Sequence, residues 1–132
     1  MTEIEKLRRE IDSIDEEIAR SLRRRVEVAR TMGGMKEGVV YDPVREFALM
    51  ERLRNLCPDI DAKALDAIYR EVISLCRAVQ RRLRAACMGP AGSFSQEATV
   101  KALGSHIDVV FVDNPQGVFD ALARERADLG VV

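Results

Sequence analysis

Apolar residues recur every three or four positions along the first 35 residues of the chain. One stripe along a single helix face is formed by Ile4, Leu7, Ile11, Ile14 and Ile18, and it is continued by Leu22, Ala29 and Met32. Neither proline nor glycine interrupts this stripe before Gly33. The pattern predicts one helix from about Thr2 to about Met35, which would be roughly 50 Å long at about 1.5 Å per residue.

Two shorter helices are predicted behind the first. Asp42 suits the N-cap of a helix, and Pro43 suits its first position, where the missing N–H leaves no bond unmade. Cys57-Pro58 ends this helix, and Asp59 or Asp61 caps a third, which we expect to run to about Ala85. Apolar residues recur at helical spacing in both: Val44, Phe47, Met50, Leu53 and Leu56, then Leu65, Ile68, Val72, Leu75, Cys76, Val79 and Leu83.

Helix and strand signals alternate after Ala86. GPAGS is typical of a turn, and Ser93 followed by Gln96 resembles the capping box of a helix near Ser95–Leu103. The run IDVVFV predicts a buried strand, and Asn114 caps a helix near Pro115–Glu125. DLGVV at the end of the sequence begins another strand.

These elements predict two domains of different class. Residues 1–86 form an all-α domain of three helices, and residues 87–132 form the beginning of an α/β domain. The last strand pattern has too few neighbours to bury it, so we expect the α/β fragment to be incomplete.

The length of the first helix bears on assembly. Three helices of such unequal length cannot enclose the whole apolar stripe within one chain. Packing against a second copy would remove the rest of the stripe from water, at about 25 cal/mol for each Å² of apolar surface. We therefore expect an intertwined helical homodimer, since two-fold pairs are the commonest oligomers.

Composition excludes several classes of protein. Charged residues make up 33% and apolar residues 47% of the chain, as in folded soluble domains. The charged N-terminus MTEIEKLRRE lacks a signal-peptide core, and no apolar run reaches the roughly 20 residues that span a bilayer. Three cysteines without a CxxC pair and a lone His106 argue against a metal site. We expect a cytoplasmic protein with free thiols, no metal and no membrane contact.

The charge is unevenly distributed although the net value is only −1. Residues 1–86 carry 18 basic and 16 acidic side chains, whereas residues 87–132 carry 3 and 6. A slight positive excess suits a small anionic ligand. It is too small to indicate a nucleic-acid partner.

Some polar residues of the helical segment are candidates for a binding site. Arg25 and Lys36 are 11 residues apart, which places them at nearly the same azimuth and roughly 16 Å apart along a helix. Cys76 and Gln80 share one face of the third helix. For any single residue, however, a solvated surface position or a core hydrogen bond is the commoner explanation.

The segment as a whole resembles the AroQ class of chorismate mutases. The resemblance rests on LRREIDSIDEEIARSLRRRVEVARTMGGMK at 7–36, YDPVRE at 41–46 and SLCRAVQRRL at 74–83. It covers about residues 3–86, and its motifs are specific in combination rather than singly.

This resemblance implies the substrate chorismate, a dicarboxylate with an enol ether and a ring hydroxyl. Arg25 would pair with one carboxylate and Arg8 with the other. Lys36 and Gln80 would donate hydrogen bonds to the ether oxygen, and Glu46 would accept one from the ring hydroxyl.

Three further residues complete the implied pocket. They are Asp42, Arg45 through its backbone, and Cys76, which stands where family members often have a hydroxyl residue. The rearrangement of chorismate to prephenate is pericyclic, so the resemblance implies neither a nucleophile nor a cofactor.

The two arginines that would hold the substrate are far apart on one helix. Arg8 and Arg25 are separated by 17 residues, or roughly 25 Å. Two arginine side chains cannot close that distance onto one small ligand. They can serve one ligand only from different chains, so Arg8 is expected to cross into the partner's site.

The second segment resembles the opening of prephenate dehydratase. The resemblance rests on GPAGSFSQEA at 89–98 and NPQGVFDALARERADLGVV at 114–132. It implies that a complete protein makes phenylalanine precursors by both reactions, with Gly89, Gly92, Ser93 and Ser95 near a site. We expect this fragment to be inactive alone and the sequence to be truncated.

Two other functional classes remain open. A non-catalytic helical dimerisation or regulatory module would explain the apolar stripe alone. A nucleic-acid binder would use the basic run Arg23–Arg25, although Glu16, Glu17 and Glu27 dilute that patch.

Overall fold

The computed structural model describes residues 1–35 and 41–132. It begins with three helices: α1 (Glu3–Met35), α2 (Pro43–Leu56) and α3 (Ala62–Ala78). Thr2 and Glu5 form a reciprocal capping box before α1, with N–H to side-chain oxygen distances of 3.0 and 3.2 Å. These helices, with Tyr41, form what we call the helical part.

The predicted caps of the two shorter helices are confirmed. The Asp42 carboxylate accepts from the Arg45 N–H at 3.1 Å, and Asp61 accepts from the Ala64 N–H at 3.0 Å. Asp61, rather than Asp59, therefore begins α3. Arg54 of α2 donates two bonds of 3.0 Å to Asp66 of α3, and these bonds raise the pKa of its guanidinium above its ordinary value.

The prediction that the third helix runs to about Ala85 is wrong. Helix α3 ends at Ala78, and residues Arg84–Met88 form a strand, β1. Ala85, Ala86 and Cys87 are fully buried in that strand. Backbone pairing on both sides of β1 and burial of its small side chains outweigh the helical pattern.

The α/β part continues with α4 (Phe94–Leu103), β2 (Asp108–Val112), α5 (Pro115–Ala123) and β3 (Leu129–Val131). Ser93 caps α4 and Asn114 caps α5, as the sequence predicts. The strands form a parallel sheet in the order β2-β1-β3. The described chain is therefore mostly helical, with a small three-stranded sheet.

The core lies on the two faces of β1. One cluster contains Leu83, Ala85, Leu103 and Ile107, and the other contains Ala86, Val118, Ala121 and Ala127. Tyr41 of the helical part packs on the first cluster. The two parts of the chain therefore share core surface.

A junction joins α3 to the end of α4. Gly104, with φ of +80°, lies so close to α3 that an added Cβ would stand 2.4 Å from the Ser74 Cβ. The Ser74 hydroxyl accepts from the His106 N–H at 3.0 Å, and Glu71 accepts from the Ser105 N–H at 2.9 Å. The chain thus anchors α3 against the residues that follow α4.

The apolar stripe of α1 lies outside this packed body. Ala29 is the buried residue of α1, whereas Ile4, Leu7, Ile11, Ile14 and Ile18 are 46–62% exposed. Among the described residues, none of the helices is apolar over a length that would cross a membrane.

Candidate active site

The end of α1 touches the turn after α3 at a glycine. A Cβ added to Gly33 would lie 2.9 Å from the Gln80 Cα, which is closer than side chains tolerate. Gly33, Ala29 and Arg25 are four residues apart, so they lie along one side of α1. That side carries the buried Ala29 and the half-buried Arg25 toward α3.

Gln80 lies in the turn that follows α3 and is half-buried. Its side-chain Nε2 donates to the Cys76 carbonyl oxygen at 3.2 Å. Its Oε1 is buried and has no hydrogen-bond partner among the described residues. Buried amide oxygens are rarely left unpaired, so this atom marks a place where a donor would bind.

Glu46, near the start of α2, forms an ion pair with Arg77 of α3. The Arg77 Nη2 donates to the Glu46 Oε1, and the Arg77 guanidinium lies 5.0 Å from the centre of the Tyr41 ring. The side chains of Arg77 and Glu46 are only 5% and 16% exposed. The start of α2 and the end of α3 are thereby held together.

The other residues predicted to contact the substrate differ in their surroundings. The Asp42 carboxylate is used in capping α2, and Arg45 is exposed beside it. Cys76 is buried, with 3% of its surface exposed. Lys36 lies outside the described residues.

Arg8 lies on the exposed N-terminal half of α1. Since α1 is one continuous helix, Arg8 stands roughly 25 Å along the axis from Arg25. Within one chain, Glu46 and Gln80 lie at the end of the helical part where α1 meets the turn after α3. Arg25 lies about two turns before that contact on α1, and Arg8 lies at the other end of the helix.

This end of the helical part offers hydrogen bonds and charge rather than a nucleophile. It combines an arginine, a carboxylate and an amide, which suit an anionic ligand with ether and hydroxyl oxygens. In residues 1–35 and 41–132, no group of three or more His, Cys, Asp or Glu side chains could hold a metal ion.

Arg77 and Tyr41 are residues that the sequence reasoning missed. A signal for Arg77 existed, since it lies one turn after the buried Ile73 and directly after the buried Cys76. An arginine among buried residues of an amphipathic helix needs a partner. Nothing in the pattern identified that partner as Glu46.

Arg23 and Arg24 of the basic run bond to neighbours on α1, as does the nearby Arg20. Arg23 contacts Glu27 at 3.3 Å, Arg24 donates to the Ser21 hydroxyl at 3.1 Å, and Arg20 contacts Glu16 at 3.4 Å. Such exposed pairs are typical of a solvated helix face. They reduce the positive charge available to a nucleic acid.

An open depression of about 590 Å³ lies at the start of α4. Two of the four residues predicted near a second site, Gly92 and Ser93, line it together with Gln96, Glu97, Val100 and Lys101. The Ser93 hydroxyl donates to the Met88 carbonyl at 2.9 Å and accepts from the Gln96 N–H at 3.2 Å. Its observed bonds are those of a helix cap.

Comparison with known families separates the two parts of the chain. The family model described as chorismate mutase type II matches residues 7–81, which is more than half of the chain. The family model described as prephenate dehydratase matches residues 85–132. The predicted boundary after residue 86 stays a prediction, and β1 spans it.

Similar proteins carry both activities in their names. A bifunctional chorismate mutase/prephenate dehydratase of Aquifex aeolicus is 33% identical over all of this chain, which covers 39% of that relative. One of Neisseria gonorrhoeae is 36% identical over 92% of this chain, which covers 34% of it. The chain thus spans well under half the length of these relatives. No solved structure matches it significantly.

Proposed function

Since the chain belongs to the type II chorismate mutase family, we propose that its helical part converts chorismate to prephenate. The observation that carries this proposal is the polar end of the helical part. There the half-buried Arg25, the carboxylate of Glu46 and the half-buried amide of Gln80 lie on three different segments that pack together.

Each of these groups has a role in the proposed reaction. Arg25 binds one carboxylate of the substrate, because guanidinium and carboxylate groups form strong charge-assisted pairs. The Glu46 carboxylate accepts a hydrogen bond from the ring hydroxyl. The Gln80 Nε2 uses one N–H on Cys76, and its second N–H can serve the ether oxygen.

The catalytic effect is conformational and electrostatic. Holding the substrate with its two reacting carbons close removes the entropic part of the barrier. The C–O bond then breaks and negative charge develops on the ether oxygen, where fixed donors stabilise it. We assign this role to Gln80 and to Lys36. The proposed step transfers no proton and uses no cofactor.

Assembly completes the proposed site. The exposed stripe of α1 is covered by the same helix of a second copy, in a homodimer with two-fold symmetry. Arg8 of one copy then reaches the site that contains Arg25 of the other copy. There it binds the second carboxylate of the substrate. The long separation of these two arginines on one helix supports this arrangement.

Neighbouring arginines provide the test. In an assay for loss of chorismate, Arg25→Ala should lower kcat/KM by about a hundredfold, because a charged hydrogen-bond partner of the substrate is lost. Arg24→Ala is the matched control and should keep nearly full activity, since Arg24 is exposed and bonds only to Ser21 among the described residues. Lys36→Ala should nearly abolish turnover while leaving the helix content unchanged.

Clear results would contradict the proposal. An unaltered protein that does not consume chorismate would favour the non-catalytic dimerisation module. Equal activity of the Arg24 and Arg25 variants would show that the substrate binds elsewhere.

We also propose that the α/β part belongs to a prephenate dehydratase unit, so that the whole protein would act in phenylalanine synthesis. The match over residues 85–132 supports this assignment. Incubation of these 132 residues with prephenate should give no phenylpyruvate, whereas a longer protein that contains them should.

A further inference from the structure

Arg77 is a buried charged residue for which the roles proposed above provide no function. It is 5% exposed, and its side chain reaches both parts of the chain. Nη2 donates to Glu46 of α2, and Nη1 donates to the Leu103 carbonyl oxygen at the end of α4 at 3.3 Å. Its Nε is buried without a hydrogen-bond partner among the described residues.

The surroundings hold the guanidinium from three sides. The Tyr41 ring packs against it at 5.0 Å, where the negative face of an aromatic ring attracts a cation. The Leu103 carbonyl belongs to the last residue of α4, where helix carbonyls carry partial negative charge. Arg77 is therefore fixed independently of Glu46 and can hold the Glu46 carboxylate in one place.

Glu46 needs a positively charged partner because its own carboxylate is negative. Chorismate carries two negative charges, and an uncompensated carboxylate in its binding site would repel it. Like charges brought together in a partly buried site repel strongly, because little water is present to screen them. A guanidinium bonded to Oε1 neutralises that repulsion and leaves Oε2 to accept the ring hydroxyl.

We propose that Arg77 is a positioning residue of the mutase site, which neutralises and orients Glu46 and is itself anchored on the end of α4. This inference rests on the proposed function. It adds a residue to that site and gives the α/β part a structural role in the site of the helical part.

The test compares the unaltered protein with Glu46→Gln, Arg77→Met and the variant carrying both changes. Arg77→Met should raise KM for chorismate on the order of tenfold to a hundredfold, because a lone carboxylate then faces the dicarboxylate. Arg77→Lys keeps the charge and should recover most of that loss. The change in kcat should be smaller than the change in KM.

The double variant gives a readout that loss of stability alone would not produce. Once Arg77 is absent, Glu46→Gln removes the repelling charge, so it should improve KM. In the unaltered protein the same change should worsen KM. The double variant should therefore bind chorismate within about threefold of Glu46→Gln alone, a large departure from additivity.

Arg82 provides a matched control, since it also bonds a carboxylate and a backbone carbonyl. Its Nε donates to Asp108 at 3.0 Å and its Nη2 donates to the Ile107 carbonyl at 3.1 Å, in the α/β part. Arg82→Met should leave KM unchanged. Its side chain is more exposed than that of Arg77, so thermal unfolding of both variants is measured beside the kinetics.

Each outcome decides the proposal. Arg77→Met kinetics equal to those of Arg82→Met would overturn it, as would a double variant that carries the full losses of both single changes. If Arg77→Met fails to fold, comparison of the double variant with Glu46→Gln decides alone. The double variant leaves no buried lone charge, and in Glu46→Gln the guanidinium keeps its contacts with the Leu103 carbonyl and the Tyr41 ring. An unaltered protein without mutase activity would refute the proposed function and, with it, this role.

Discussion

Gly33 determines how closely α1 approaches the turn after α3. Its missing side chain is what allows Gln80 to pack against the helix, since any Cβ at this position would meet the Gln80 backbone. Gly34, the next residue, has open space where a Cβ would stand, with nothing within 4 Å in the described chain. The packing therefore requires a glycine at position 33 but not at position 34.

This difference predicts opposite effects of the same substitution. Gly33→Ala should lower the free energy of unfolding by about 1–3 kcal/mol, because the two segments must move apart. Gly34→Ala should raise it by about 0.5–1 kcal/mol, because alanine loses less backbone entropy in a helix. Denaturant unfolding measures both, and equal effects would mean that α1 and Gln80 do not touch.

At the residue scale, local interactions could be predicted from the sequence and distant ones could not. The caps Asp42, Ser93 and Asn114 each bond an N–H three residues ahead, so a short sequence window contains both partners. The partners of Arg77 lie 31 and 26 positions away in the chain. The spacing of apolar residues does not indicate which distant residues will bond to Arg77.

At the element scale, β1 shows where the hydrophobic pattern failed. Its sequence RAACM contains no β-branched residue, and its first two residues, Arg84 and Ala85, continue the pattern of α3 and fall within the predicted helix. It is a strand because its neighbours pair with it, and those neighbours come later in the chain. The caps and the long period of α1 were predictable because they depend on a few adjacent residues.

Asp128 attaches the beginning of β3 to β1. Burial raises the pKa of its carboxyl, but hydrogen bonds from the Arg84 backbone, the Arg84 side chain and Arg81 outweigh burial and lower the pKa overall. A carboxylate with a lowered pKa stabilises the fold above its unfolded pKa of about 4, and loses that contribution as pH falls through the folded value.

Asp128→Asn should therefore lower the free energy of unfolding by about 1 kcal/mol at pH 7. The difference from the unaltered protein should shrink as the pH falls below about 4, where the carboxylate of the unaltered protein is protonated too. Asp113→Asn is the control, because Asp113 is exposed and makes no hydrogen bond to a described residue. A pH-independent difference would show that the charge of Asp128 does not matter.

At the scale of the whole molecule, the two ends of the helical part differ, since one is packed and the other is exposed. The junction of α3 with the end of α4 fixes one end, and the exposed stripe of α1 leaves the other end open for a second copy. Neither the junction nor the register of the sheet could be predicted, because both depend on contacts between residues far apart in the sequence. The homodimer stays a prediction, which rests on the length and exposed stripe of α1 and which the family resemblance also implies.

If Arg8 of one copy serves the site of the other copy, mixing two inactive variants should recover activity. Arg8→Ala and Arg25→Ala should each be nearly inactive. In a mixed dimer, one site receives both intact arginines and the other receives neither. Random mixing after refolding makes half the dimers mixed, so about a quarter of the normal activity should return. Recovery of none would contradict the exchange of Arg8 between copies.

The contact between Arg77 and α4 has a consequence for how this protein can change over evolution. Arg77 binds a main-chain carbonyl at Leu103, and an amino-acid replacement at that position leaves the carbonyl in place. Point substitutions along α4 can therefore accumulate without removing this contact. An insertion or deletion that moves the helix end would break it at once, so the length of α4 is constrained more tightly than its sequence.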